Sequence, residues 1–103
     1  MQKIIDQTEK TARTYFGAFG FADEQISALI ATGKKDLQSK LSELETLLDA
    51  PETTTEELNS VLHALKGLLF QLGNQELGEQ INEIRSHLDD ESALDDIRRI
   101  LLS

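Results

Sequence analysis

The chain has 103 residues and a mass of 11.5 kDa, the size of one ordinary domain. Ten Lys and Arg against nineteen Asp and Glu leave a formal net charge of −9, which works against general binding to phosphate backbones or anionic lipid, so neither nucleic acid nor a membrane is expected as a partner. The absence of Cys excludes a disulfide framework and a thiolate metal site and fits a reducing compartment, with the cytoplasm as the expected location. Asp6 interrupts the amino terminus before any apolar stretch forms, and no segment approaches the roughly 18 apolar residues of a membrane span, so neither signal peptide nor anchor is expected.

One Pro and six Gly punctuate a sequence dominated by strong helix formers, and an all-α fold is predicted. In residues 1–33, Ile5, Ala12, Phe16 and Phe19 indicate one helix, which Gly17, Gly20 and Asp23 break before Ile26, Leu29 and Ile30. The only Tyr and three of the four Phe crowd between Tyr15 and Phe21, aromatic bulk enough to close one end or side of a core. From Lys34 to Leu48, the residues Leu37, Leu41, Leu44 and Leu48 form a single stripe that ends at Asp49-Ala50-Pro51. Thr54 with Glu57 reads as a capping box for a helix whose stripe is Leu58, Val61, Leu65, Leu68 and Leu72, widened by Leu62 and Leu69 and stopped by Gly73. Asn74 is predicted to cap a fourth segment carrying Leu77, Ile81, Ile84 and Leu88. Ser92 with Asp95 is predicted to cap a fifth carrying Leu94, Ile97 and Leu101. Short connections make neighbours antiparallel. The predicted architecture is therefore a single domain, an up-and-down four-helix bundle over residues 34–103 with residues 1–33 as an N-terminal helical cap.

On a helical wheel of about 100° per residue, His63 falls roughly 160° from the stripe centred near Leu65 and so faces outward. Lys66 and Gly67 follow at i+3 and i+4, the spacings that make side chains neighbours on a helix surface. A neutral imidazole is a nucleophile toward phosphorus, and phosphoryl transfer needs little beyond position and charge compensation. Lys66 would supply the cation and Gly67 the room for in-line approach. In mid-helix, Gly67 costs roughly 0.5–1 kcal/mol relative to Ala, so close approach of another group is the better account of it. His87 has no comparable company and reads as a surface residue.

The run His63-Ala64-Leu65-Lys66-Gly67, with Gly73 six residues after Gly67, resembles the signature of histidine-phosphotransfer (HPt) domains of two-component phosphorelays. The bundle from Lys34 onward and the chain length are similar to that family as well. The resemblance implies that His63 is the phosphoacceptor, exchanging a phosphoryl group with the aspartate of a response-regulator receiver domain or taking it from a sensor histidine kinase, with Lys66 and Gly67 assisting. It implies no kinase activity, no cofactor and no resident metal, the magnesium ion belonging to the receiver. A polar side chain of the following helix beside the imidazole corresponds to Arg85, and Arg85, Phe70 and Asn59 are the residues expected to bind phosphoryl group or partner.

Two features depart from that pattern. Leu68 and Leu69 stand where small residues are common, and they are expected to widen the gap to a neighbouring helix or change its crossing. Phe70, seven residues after His63, lies on the same outward face, where it would either dock a partner or be covered by the aromatic N-terminal segment. The alternatives to a phosphocarrier are an acidic helical adaptor that binds a receiver or kinase without phosphate, and the phosphoacceptor module of a chemotaxis-type kinase. The acidic run around Asp89 lacks the Gly and alternation of a calcium loop, and Thr32-Gly33-Lys34-Lys35 lacks the first Gly and the Ser or Thr of a phosphate loop.

Overall fold

Gly20, Pro51, Gly73 and Asp90 divide the chain into five stretches of helix formers, and the computed structural model, which describes residues 1–103, has one helix in each. These are α1 (Gln2–Ala18), α2 (Asp23–Asp49), α3 (Thr55–Gln71), α4 (Gln75–Arg85) and α5 (Glu91–Leu101). There are no strands. Gly20, at φ +81°, turns the chain between α1 and α2, and the Gln25 side chain folds back to accept the Ala22 N–H at 3.0 Å. Thr54 Oγ1 accepts the Glu57 N–H at 3.2 Å and starts α3 as predicted.

The end of α3 is a Schellman turn. Gly73, at φ +80°, donates its N–H to Phe70 O at 3.1 Å, and Asn74 donates its own to Leu69 O at 2.9 Å. Asn74 then caps α4, its Oδ1 accepting the Leu77 N–H at 3.3 Å. The last helix departs from expectation. It begins at Glu91 with Asp90 as N-cap, and neither Ser92 nor Asp95 caps it; the turn bonds Asp90 N–H to His87 O and Ala93 N–H to Asp90 O set its start instead.

The second half of α2 with α3, α4 and α5 forms an up-and-down four-helix bundle, and α1 lies against it as the additional N-terminal helix. Leu37, Leu41 and Leu44 of α2 meet Leu62, Leu65 and Leu69 of α3, Ile81 and Ile84 of α4, and Ala93, Ile97 and Leu101 of α5 in one core. A smaller cluster of Ala12, Ile26, Ile30 and Leu72 joins α1 to the first half of α2. The molecule is a rod of 45 × 21 × 21 Å, its length set by the 27-residue α2. No helix is long and apolar enough to cross a membrane.

The expected division at residue 33 falls inside α2, which runs unbroken through Gly33. Gly33 is a contact rather than a break, because a Cβ there would run into the Leu72 side chain. Nor are residues 1–33 only a cap, since Ile4 and Ile5 are buried in the main core. The aromatic segment reaches the bundle only in part: Tyr15 covers Gly73 and Phe16 packs on the smaller cluster, while Phe19 remains 63% exposed. Leu68 and Leu69 fit without opening the bundle, Leu69 fully buried and Leu68 half-buried across both clusters.

Two tests follow from this packing. Gly33→Ala should lower stability by about 1–2 kcal/mol, because Leu72 must leave a buried position, whereas Gly17→Ala, where an added Cβ meets nothing, should be neutral or stabilising in the same thermal melts. The second concerns acid. Lys34, and then Arg13, hold the Glu9 carboxyl below its usual pKa, and Arg99, then His87, do the same for Asp96. A carboxyl with a lowered folded-state pKa stabilises above its unfolded-state value and loses that contribution as pH falls through the folded one. The double variant Glu9→Gln, Asp96→Asn should therefore be less stable than the parent near about pH 6 and indistinguishable from it near about pH 2 in urea titrations.

Candidate functional site

The buried stripe of α3 decides which way His63 points. With Leu58, Val61, Leu62, Leu65 and Leu69 turned into the core, His63 is left exposed on the outer side of the helix. The Thr54 cap at one end and the Schellman turn at the other hold that face in register. Between α3 and the antiparallel α2 lies a shallow groove of about 370 Å³, lined by Asp36, Ser39 and Lys40 on one wall and His63, Gly67 and Gln71 on the other. Gly67 keeps it open, since a Cβ built there would meet nothing within 4 Å.

The opposite flank of His63 is built by α4. Arg85 donates from Nε to Asn59 Oδ1 at 2.9 Å and from Nη1 to Asn82 Oδ1 at 3.3 Å. Asn59 sits one helical turn before His63, so Arg85 is tethered on the α4 side of α3, a turn from His63, by two neutral amides, with no carboxylate neutralising it. Lys66 is half-buried and forms no ion pair. From Leu58 to Gln75 the chain has no acidic residue at all, in a protein of net charge −9. The groove beside His63 therefore carries one cation, Lys40, and one carboxylate, Asp36, while α3 itself adds Lys66 and no acid beyond Leu58.

Of the residues singled out in the sequence, His63, Lys66 and Gly67 share the outer face of α3, and Asn59 and Arg85 meet across α3 and α4. Phe70 stands apart from the groove. Its ring lies against Gly78 of α4 and is 38% exposed, and the N-terminal aromatic residues do not cover it. His87 is not an isolated surface residue: it is half-buried, with Nε2 3.4 Å from Asp96 Oδ2. Sequence reasoning missed Asp36, Ser39, Lys40 and Asn82, which reach the site only through helix pairing. No group of three or more His, Cys, Asp or Glu is placed to hold a metal ion.

No protein-family model matches the chain, and no curated protein or solved structure matches it. The geometry of Gly67 is itself testable: Gly67→Ala should raise folding stability by about 0.5–1 kcal/mol in denaturant titration, because the helix gains propensity and the methyl meets no neighbour.

Proposed function

We propose that the protein is a histidine-phosphotransfer domain of a cytoplasmic phosphorelay, carrying a phosphoryl group on His63 to or from the aspartate of a receiver domain, with a sensor histidine kinase as a further source. The observation that carries this reading is an exposed imidazole over an open groove at Gly67, flanked by the unpaired Lys66 and by Arg85. In the transfer, a neutral ring nitrogen of His63 attacks the phosphorus of the aspartyl phosphate. The N–P bond forms as the P–O bond breaks, the electron pair leaves with the aspartate carboxylate, and the positive charge passes to the imidazole ring.

The phosphoryl group remains a dianion throughout, so the protein contributes position and positive charge rather than a proton relay. Lys66, one turn from His63, donates to phosphoryl oxygens, and Arg85 has a free guanidinium edge for the same task. Gly67 admits the incoming acyl phosphate. The protein has no kinase activity of its own in this scheme. Phe70, at the seam of α3 and α4 two helical turns from His63, offers the receiver an apolar contact at the margin of the site.

The test is incubation with a phosphorylated receiver from the same genome. His63→Gln should abolish the acid-labile, alkali-stable label while leaving helicity and melting unchanged, and His87→Gln should label as the parent does. Lys66→Ala should fold normally and slow transfer about tenfold. Gly67→Ala, though more stable, should also transfer more slowly. Label that persists in His63→Gln overturns the assignment, and binding of the receiver without any labelling identifies an adaptor instead.

A further inference from the structure

The wall of the groove opposite His63 belongs to α2, and its one cation is Lys40. Because α2 runs antiparallel to α3, Asp36 lies toward Gln71, where a second, more apolar groove lined by Asp36, Leu68 and Gln71 begins. Lys40, one turn further along α2, lies toward Gly67 and His63. Its ammonium sits 3.2 Å from Glu43 Oε2, in an i,i+3 pair whose side chains are 40% and 49% exposed. A pair this open to solvent is weak and easily rearranged. Lys40 is therefore a cation at the edge of the groove, parked on a partner that holds it loosely.

A phosphoryl group on His63 would bring about two negative charges and three acceptor oxygens into the space that Gly67 leaves open. It outcompetes a single exposed carboxylate for a flexible ammonium. We infer that Lys40 is a second phosphoryl-binding cation of the site, held by Glu43 in the free protein and turned onto the phosphoryl group once His63 is loaded. The group is then clasped from both helices, by Lys66 of α3 and Lys40 of α2. Glu43, the carboxylate that Lys40 pairs with in the free protein, sets how strongly the site holds its phosphate. The inference rests on His63 being a phosphoacceptor.

The test uses the full chain and phosphoramidate as a small phosphodonor, so that no protein partner is needed. The imidazole nitrogen attacks phosphorus, the donor's N–P bond breaks with its electron pair leaving as ammonia, and the positive charge passes to the ring. Phosphorus NMR reads the loaded fraction at steady state and its decay after the donor is removed. Lys40→Gln should lower the loaded fraction and speed the decay by about fivefold, and Lys40→Arg should restore most of both. Glu43→Gln should raise loading about twofold in the parent and far less in the Lys40→Gln background. Circular dichroism melts should be unchanged, since both side chains are exposed. Loading and decay in Lys40→Gln equal to the parent's overturn the role of Lys40 while leaving His63 as acceptor. Absence of any phosphohistidine signal in the parent overturns the phosphocarrier reading and this inference with it.

Discussion

Three helices of this protein meet at one buried amide. The backbone N–H of Asn74 closes α3 on Leu69 O at 2.9 Å, its Oδ1 starts α4 on the Leu77 N–H at 3.3 Å, and its Nδ2 donates to Thr8 Oγ1 of α1 at 2.9 Å. Asn74 and Thr8 are both buried, and a buried polar group left without a partner costs about 1–3 kcal/mol. Each bond therefore enforces the others: moving α1 strips the amide, and moving the amide uncaps α4. The joint fixes where α3 stops and α4 begins, and so sets the register between the two helices that carry His63 and Arg85.

That register decides what flanks the outward face of α3. Any amphipathic helix has an exposed side, but the side of α3 that carries His63 is flanked by two fixed walls. Asn59 and Asn82 hold Arg85 without neutralising it, as two carboxylates would. Several acids of the chain gather at helix starts: Glu56 and Glu57 at the positive start of α3, Glu76 at that of α4, Glu91 at that of α5. Acids at the start of α3 leave the rest of that helix without any, and the carboxylate that lines the groove beside His63, Asp36, comes from α2.

What could be read in the sequence was what a single helix determines. The leucine stripe of α3, the Thr54 cap, the Gly73 stop and the outward direction of His63 follow from spacing along one chain segment. Features that depend on two segments were not legible there. Lys40 faces the groove because α2 and α3 are antiparallel in one register, and nothing between residues 34 and 48 marks it out from Lys34 or Lys35. The continuity of α2 through Gly33 depends on Leu72, 39 positions away, filling the place of a side chain. The start of α5 at Glu91 depends on a turn from His87 to Asp90, whose N-cap Asp90 makes no side-chain capping bond, and the tie between His87 and Asp96 joins residues on either side of it.

The glycines inside the helices separate packing from chemistry. A mid-helix glycine costs backbone entropy, and that cost is offset where a neighbour occupies the missing side chain's volume. At Gly33 the neighbour is Leu72, at Gly78 it is Phe70, and in both places two helices close together around the gap. Gly17 is open but lies in the last turn of α1, where the helix is about to end. Gly67 alone is open in a helix interior, before the last turn, four residues from both the exposed His63 and the end of α3 at Gln71. Nothing in the folded chain uses its volume. The helix is therefore less stable than an alanine would make it, with no return in packing.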